Sequence, residues 1–169
     1  MGTPKDPPPT AEHLAGRLAE VLVPSSVIVC IGNELCGDDG AGVAVARELG
    51  DGVPWRVVNA ETAPESFLSR ITASRPGSVV LVDALHFGGR PGAVELLAPE
   101  TLDGQGPSTH GPAPLAFLEM LRLMHPCRRV VVGIQPFRTE VGQGLSRPVR
   151  RAVGLVAEAF RLCATRGGR

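Results

Sequence analysis

A chain of 169 residues has the length of one domain, and at that size folding buries roughly 70% of the unfolded surface. Seventeen basic and seventeen acidic side chains cancel, so no global field draws the molecule to nucleic acid or an anionic membrane. No apolar run reaches the roughly 20 residues that span a bilayer, and the start MGTPKDPPPT has no apolar signal core. With Cys30, Cys36, Cys127 and Cys163 scattered and no C-x-x-C pair, the expectation is a cytoplasmic protein with reduced thiols and no membrane insertion.

Residues 1–9 hold four prolines and almost no apolar bulk, which predicts a disordered tail ahead of one α/β domain over 10–169. Thr10 is placed to cap a helix whose apolar face carries Leu14, Leu18, Val21 and Leu22 until Pro24 ends it. Then follow a strand over 27–31, a helix over 40–49, a strand over 55–58 and a helix over 64–71. Strands are next expected over 79–82 and 93–97, a helix over 115–124, a strand over 130–134 and a last helix over 148–164. This alternation predicts a three-layer α/β/α sandwich around a largely parallel, mixed and twisted sheet of about five strands. In such a sheet the ligand crevice lies beyond the carboxyl ends of the strands.

The segment IGNELCGDDGAG (31–42) sits at the first such end. Its glycines suit a tight turn into a helix, but the Lys and Ser/Thr of a Walker A loop are missing, as is G-x-G-x-x-G. Asp38 and Asp39 stand where a phosphate would otherwise meet the helix start, which disfavours a phosphate ligand. Two readings are open: Asp38 caps the helix while Asp39 complements its dipole, or one of the carboxylates serves a cation.

Asp83 ends the apolar run Val79-Val-Leu-Val82, at the edge of the predicted crevice; capping the next turn is its ordinary alternative. His110, in the Pro107-Ser-Thr-His-Gly-Pro112 loop, is either a solvated imidazole or a ligand. Together Asp39, Asp83 and His110 make a mixed oxygen and nitrogen set that suits a borderline divalent ion with coordination positions left open.

The remaining polar residues have simpler readings. His86 is a surface residue, an extra ligand or a proton carrier, Cys36 a structural thiol, a ligand or a reactive thiol, and Glu34 a solvated turn acid or a neighbour of the cation, ranked below Asp39. Gln135 and Pro136 fall at the crevice floor, where Gln135 offers a donor and an acceptor to a peptide backbone. Arg147, Arg150, Arg151 and Arg161 read as the solvated face of the last helix or as a dock for an acidic patch. No G-x-S-x-G elbow is present, which disfavours serine-type hydrolysis.

In order along the chain, IGNELCGDDGAG, NAETAPE at 59–65, LVDA at 81–84, STHG at 108–111 and GIQP at 133–136 resemble the hydrogenase maturation endopeptidases. The resemblance is closest to the branch that processes formate-hydrogenlyase-type nickel-iron hydrogenases. It implies a monomeric peptidase of an aspartyl-type family, without an organic cofactor. Such a peptidase removes a C-terminal extension from the precursor of the hydrogenase large subunit once nickel is inserted. By motif position Asp39, Asp83 and His110 are the nickel-contacting residues, and the nickel belongs to the substrate. The resemblance assigns neither the attacking group nor the substrate-binding residues. This chain departs from the family pattern at Asn59, where many members carry Asp, which leaves a non-catalytic, metal-binding chaperone of the precursor as the alternative.

Overall fold

The computed structural model describes residues 10–102 and 113–166, so the tail expected over 1–9 and the loop carrying His110 lie outside the described residues. Thr10 caps α1 (Ala11–Ala19) as its sequence position predicts, its Oγ1 accepting from the His13 N–H at 3.2 Å. The α-helix stops at Ala19, three residues short of the apolar pattern, but Val21 and Leu22 donate back to the Leu18 carbonyl and continue the turn.

Five strands, β1 (Val27–Ile31), β2 (Arg56–Glu61), β3 (Ser78–Ala84), β4 (Val94–Leu97) and β5 (Arg128–Ile134), form one sheet in the order β2-β1-β3-β5-β4. All neighbours pair in parallel except the edge strand β4, which runs antiparallel to β5. The helices α2 (Ala41–Leu49), α3 (Leu68–Ala73), α4 (Ala113–Met124) and α5 (Arg147–Arg166) complete the fold.

Strand periodicity of two sorts the buried side chains onto two faces. Ile28, Cys30, Val80, Val82 and Val132 pack in one core with α1, α2 and α5, whereas Val27, Val29, Ile31, Val79, Leu81 and Val131 pack in the other with α3 and α4. Every residue of β1 and β3 is buried, which is why these strands read as continuous apolar runs. The expected α/β layering and mixed sheet are therefore both present.

On α5 the buried residues Val149, Val153, Val156, Phe160 and Cys163 recur every three or four positions, giving one apolar face. Each such side chain, fully buried, contributes roughly 1.5–3 kcal/mol. Cys163 and Cys30 act as small buried hydrophobes: the Cys163 thiol donates to the Ala15 carbonyl at 3.1 Å. Burial, reinforced by the nearby Asp83 charge, pushes the Cys30 thiol far above the ordinary cysteine range, so it stays protonated.

Where β2 leaves β1 the ladder slips. Cys30 pairs with Asn59 and Ile31 with Glu61, so Ala60 is bulged out and Glu61 adopts φ +49°, a left-handed conformation that disfavours a Cβ. The Glu61 carbonyl accepts from the Gly32 N–H at 2.9 Å, so the bulge also holds the start of the next turn. Glu61→Gly is expected to stabilise the protein by about 1 kcal/mol, read as a shift in the urea midpoint, with no gain from Glu61→Ala.

Candidate functional site

From β1 the chain crosses to β2 on one side, while β3 lies on the other, so connections part at the carboxyl ends of β1 and β3. That is the crevice position of an open α/β sheet. The two segments that flank it are residues 32–40, immediately after β1, and Asp83 near the end of β3. The short 3-10 turn Gly37–Gly40 contacts β3 and runs directly into α2.

Close approach at α2 explains part of the glycine content. A Cβ on Gly42 would overlap the Ile31 carbonyl oxygen and sit 2.6 Å from that of Val82, so only glycine lets the helix start rest on the ends of β1 and β3. Gly37 has φ +57°, and a Cβ there would lie 2.7 Å from the Arg138 carbonyl oxygen. The glycines thus serve backbone packing rather than a phosphate.

The adjacent aspartates have different surroundings. Asp38 is completely buried, yet it caps no helix: neither the 3-10 turn nor α2 has a side-chain cap bond. Instead its Oδ2 accepts from the backbone N–H groups of Phe137 (2.9 Å) and Arg138 (3.1 Å) and from the Ser146 hydroxyl (2.8 Å). Its Oδ1 accepts from the Ser146 N–H at 2.6 Å. The Asp38 N–H in turn donates to the Arg138 carbonyl at 2.9 Å. The capping reading of Asp38 is therefore corrected: the carboxylate clasps the loop between β5 and α5 onto the glycine turn. Four donors are satisfied by one charge, an arrangement in which each bond is stronger than a neutral pair.

Asp39 is 4% exposed, and its backbone carbonyl accepts from the Asn33 N–H at 3.2 Å, closing the turn on itself. Asp83 is fully buried within β3, and its Oδ1 accepts from the Ala84 N–H at 2.8 Å. By strand periodicity Asp83 belongs to the face of Val79 and Leu81, the face covered by α3 and α4. The turn carrying Asp39 and the strand carrying Asp83 thus meet at the same sheet edge. His110 lies outside the described residues, and among the described residues no group of three or more His, Cys, Asp or Glu is arranged to hold a metal ion.

Gln135, expected to face a peptide, is instead committed within the protein. Its Oε1 accepts from the N–H groups of Phe87 (2.9 Å) and Gly89 (3.1 Å), and its Nε2 lies 3.1 Å from His86 Nδ1. Since Oε1 is fixed by two backbone donors, Nε2 must be the donor toward His86, so Nδ1 accepts and the neutral imidazole carries its proton on Nε2. Gln135 pins the strap after β3 rather than lining a subsite. Sequence reasoning missed both this strap and the Asp38 clasp, because their partners are 46 to 108 residues away in the chain. Asn59 is exposed on β2 opposite Cys30.

Comparison with known proteins adds a second line of evidence. A family model for hydrogenase maturation proteases matches residues 43–161. The hydrogenase 3 maturation protease of Escherichia coli K12 is 30% identical over 135 residues, covering 78% of this chain and 86% of that protein. The crystal structure of the [NiFe] hydrogenase maturation protease HycI from Thermococcus kodakarensis KOD1 superposes with a TM-score of 0.80 at 30% identity, over 88% of this chain and 99% of that one. The solution structure of the endopeptidase HycI from Escherichia coli superposes with a TM-score of 0.73 at 26% identity, over 81% and 89%.

Proposed function

The chain belongs to the hydrogenase maturation protease family, and on that premise we propose that it trims the C-terminal extension from the precursor of a nickel-iron hydrogenase large subunit. It is a peptidase of hydrogenase maturation. The finer reading concerns how the substrate is checked. The observation that carries it is the placement of two buried carboxylates, Asp39 and Asp83, on the segments that flank the parting of connections between β1 and β3.

With His110, which precedes α4 in the sequence, the set is two oxygens and one nitrogen, chemistry that suits a borderline ion such as nickel. So small a set does not hold an ion tightly alone, but it recognises one already anchored in another protein. Nickel is here part of the substrate, and its contact with the peptidase reports that loading is complete. An ion at that position would also favour amide hydrolysis by polarising a carbonyl or acidifying water. A cytoplasmic setting fits this client, and among the described residues no helix is long and apolar enough to cross a membrane.

The test is direct. Purified protein is incubated with nickel-loaded and with nickel-free precursor, and the products are weighed by mass spectrometry. Only the loaded precursor should lose its extension. Equal trimming of both forms would remove nickel from the recognition step, and trimming of neither would remove the client.

A further inference from the structure

The exposed apolar side chains near the candidate site come from two segments. Leu35, 72% exposed, precedes the Gly37–Gly40 turn; Phe137 and Val141, 64% and 78% exposed, lie in the loop between β5 and α5. These segments are joined at several points: Gly142 N–H donates to the Leu35 carbonyl at 2.9 Å, Asp38 N–H to the Arg138 carbonyl, and the Asp38 carboxylate fixes Phe137 and Arg138. Large apolar side chains held outward by a buried clasp are an uncommon expense for a surface that meets only water.

The same two segments continue into a cleft of about 350 Å³ between α2 and the first turns of α5. Gly37, Gly40, Leu145 and Val153 line it, and Glu34 and Arg47 stand at its wall, joined to each other by a two-pronged ion pair (2.6 and 2.8 Å). Glu48 also lines the wall. Arg150 differs from Arg47: among the described residues its guanidinium reaches no carboxylate and meets the Leu145 carbonyl at 3.4 Å. Asp39 and Asp83 are not among the lining residues, so the cleft is separate from the carboxylates while Gly37 and Gly40 of the turn that carries Asp39 belong to its wall.

We propose that this cleft and its apolar rim are an exosite: they hold an extended, mainly apolar stretch of the hydrogenase precursor that carries one carboxylate for Arg150. This rests on the peptidase reading above and adds the surface by which the client is held. Continuity with the candidate site argues for that occupant over a second copy of this chain, because the Gly37–Gly40 turn both carries Asp39 and contributes Gly37 and Gly40 to the cleft wall. A precursor seated in the cleft thereby rests against the turn that carries Asp39. The chemistry of the surface matches this occupant: a narrow cleft takes side chains of an extended segment, Leu35, Phe137 and Val141 cover apolar ones, and Arg150 is available for an acid.

Full-length chain and nickel-loaded precursor are used to measure kcat and KM for processing, alongside sedimentation of the chain alone. Leu35→Ser, Val141→Ser and Arg150→Glu should each raise KM about 10-fold while kcat at saturating precursor stays within about twofold, the signature of lost uniform binding. Met120→Ser, at a comparably exposed apolar residue on α4, should leave KM unchanged. The exosite is overturned if the three variants process with wild-type KM, if Met120→Ser weakens binding equally, or if they instead dissociate a wild-type dimer. Should the wild-type chain process no precursor at all, the peptidase reading falls and takes the exosite with it.

Discussion

Asp39→Asn and Asp83→Asn are each expected to lower precursor processing by about 100-fold or more while leaving a cooperatively folded protein. The substitutions keep shape and remove the charge, while turning one acceptor oxygen into a donor. Both side chains are buried at the meeting of β1, β3 and the glycine turn, so a functional charge there is distinguishable from a helix-start charge. A carboxylate that merely complements the dipole of α2 is worth about 0.3–1 kcal/mol of stability and nothing in turnover. Precursor processing followed by mass spectrometry, with urea unfolding of the same samples, separates the two. Processing by Asp39→Asn within about threefold of wild type would leave Asp39 with only the dipole role.

Asp38→Ala is expected to have the opposite profile: a loss of about 3–5 kcal/mol in unfolding free energy, whatever happens to turnover. Its carboxylate accepts from Phe137 N–H, Arg138 N–H, Ser146 N–H and the Ser146 hydroxyl, and truncation strands all four donors in a buried place. Asp38→Asn should cost less but still destabilise, because its amide group turns a donor toward some of these donors. The urea midpoint measures both. A loss below about 1 kcal/mol for the alanine variant would mean that the loop between β5 and α5 is held by other contacts.

These contrasting neighbours show how far the sequence reads. Strands buried on both faces announce themselves as apolar runs: β1 has the expected bounds, and β3 and β5 fall within two residues of theirs. β2 begins one residue later than expected and runs to Glu61, because its end is decided by a bulge against Ile31 rather than by its own residues. The helix expected over 64–71 divides into a 3-10 turn, Pro64–Phe67, and α3, a distinction of one hydrogen-bond register that composition does not encode.

The positions of Asp39, in the turn after β1, and Asp83, near the end of β3, were legible because both strands read as apolar runs. Asp38 was misjudged for a physical reason. At a helix start, Asp has a strong local role, and nothing nearby in the chain reveals that its partners are Phe137, Arg138 and Ser146. Gln135 was misjudged likewise, its amide being claimed by Phe87, Gly89 and His86 across the sheet edge.

The Asp38 clasp also sets the timetable of biosynthesis. A nascent polypeptide leaves the ribosome amino end first, so the glycine turn emerges roughly a hundred residues before the groups that lock it. Until Ser146 has emerged, the turn lacks this clasp and has only nearer contacts such as that of the Gly32 N–H with the Glu61 carbonyl. The turn therefore reaches its final form only when nearly the whole chain is available.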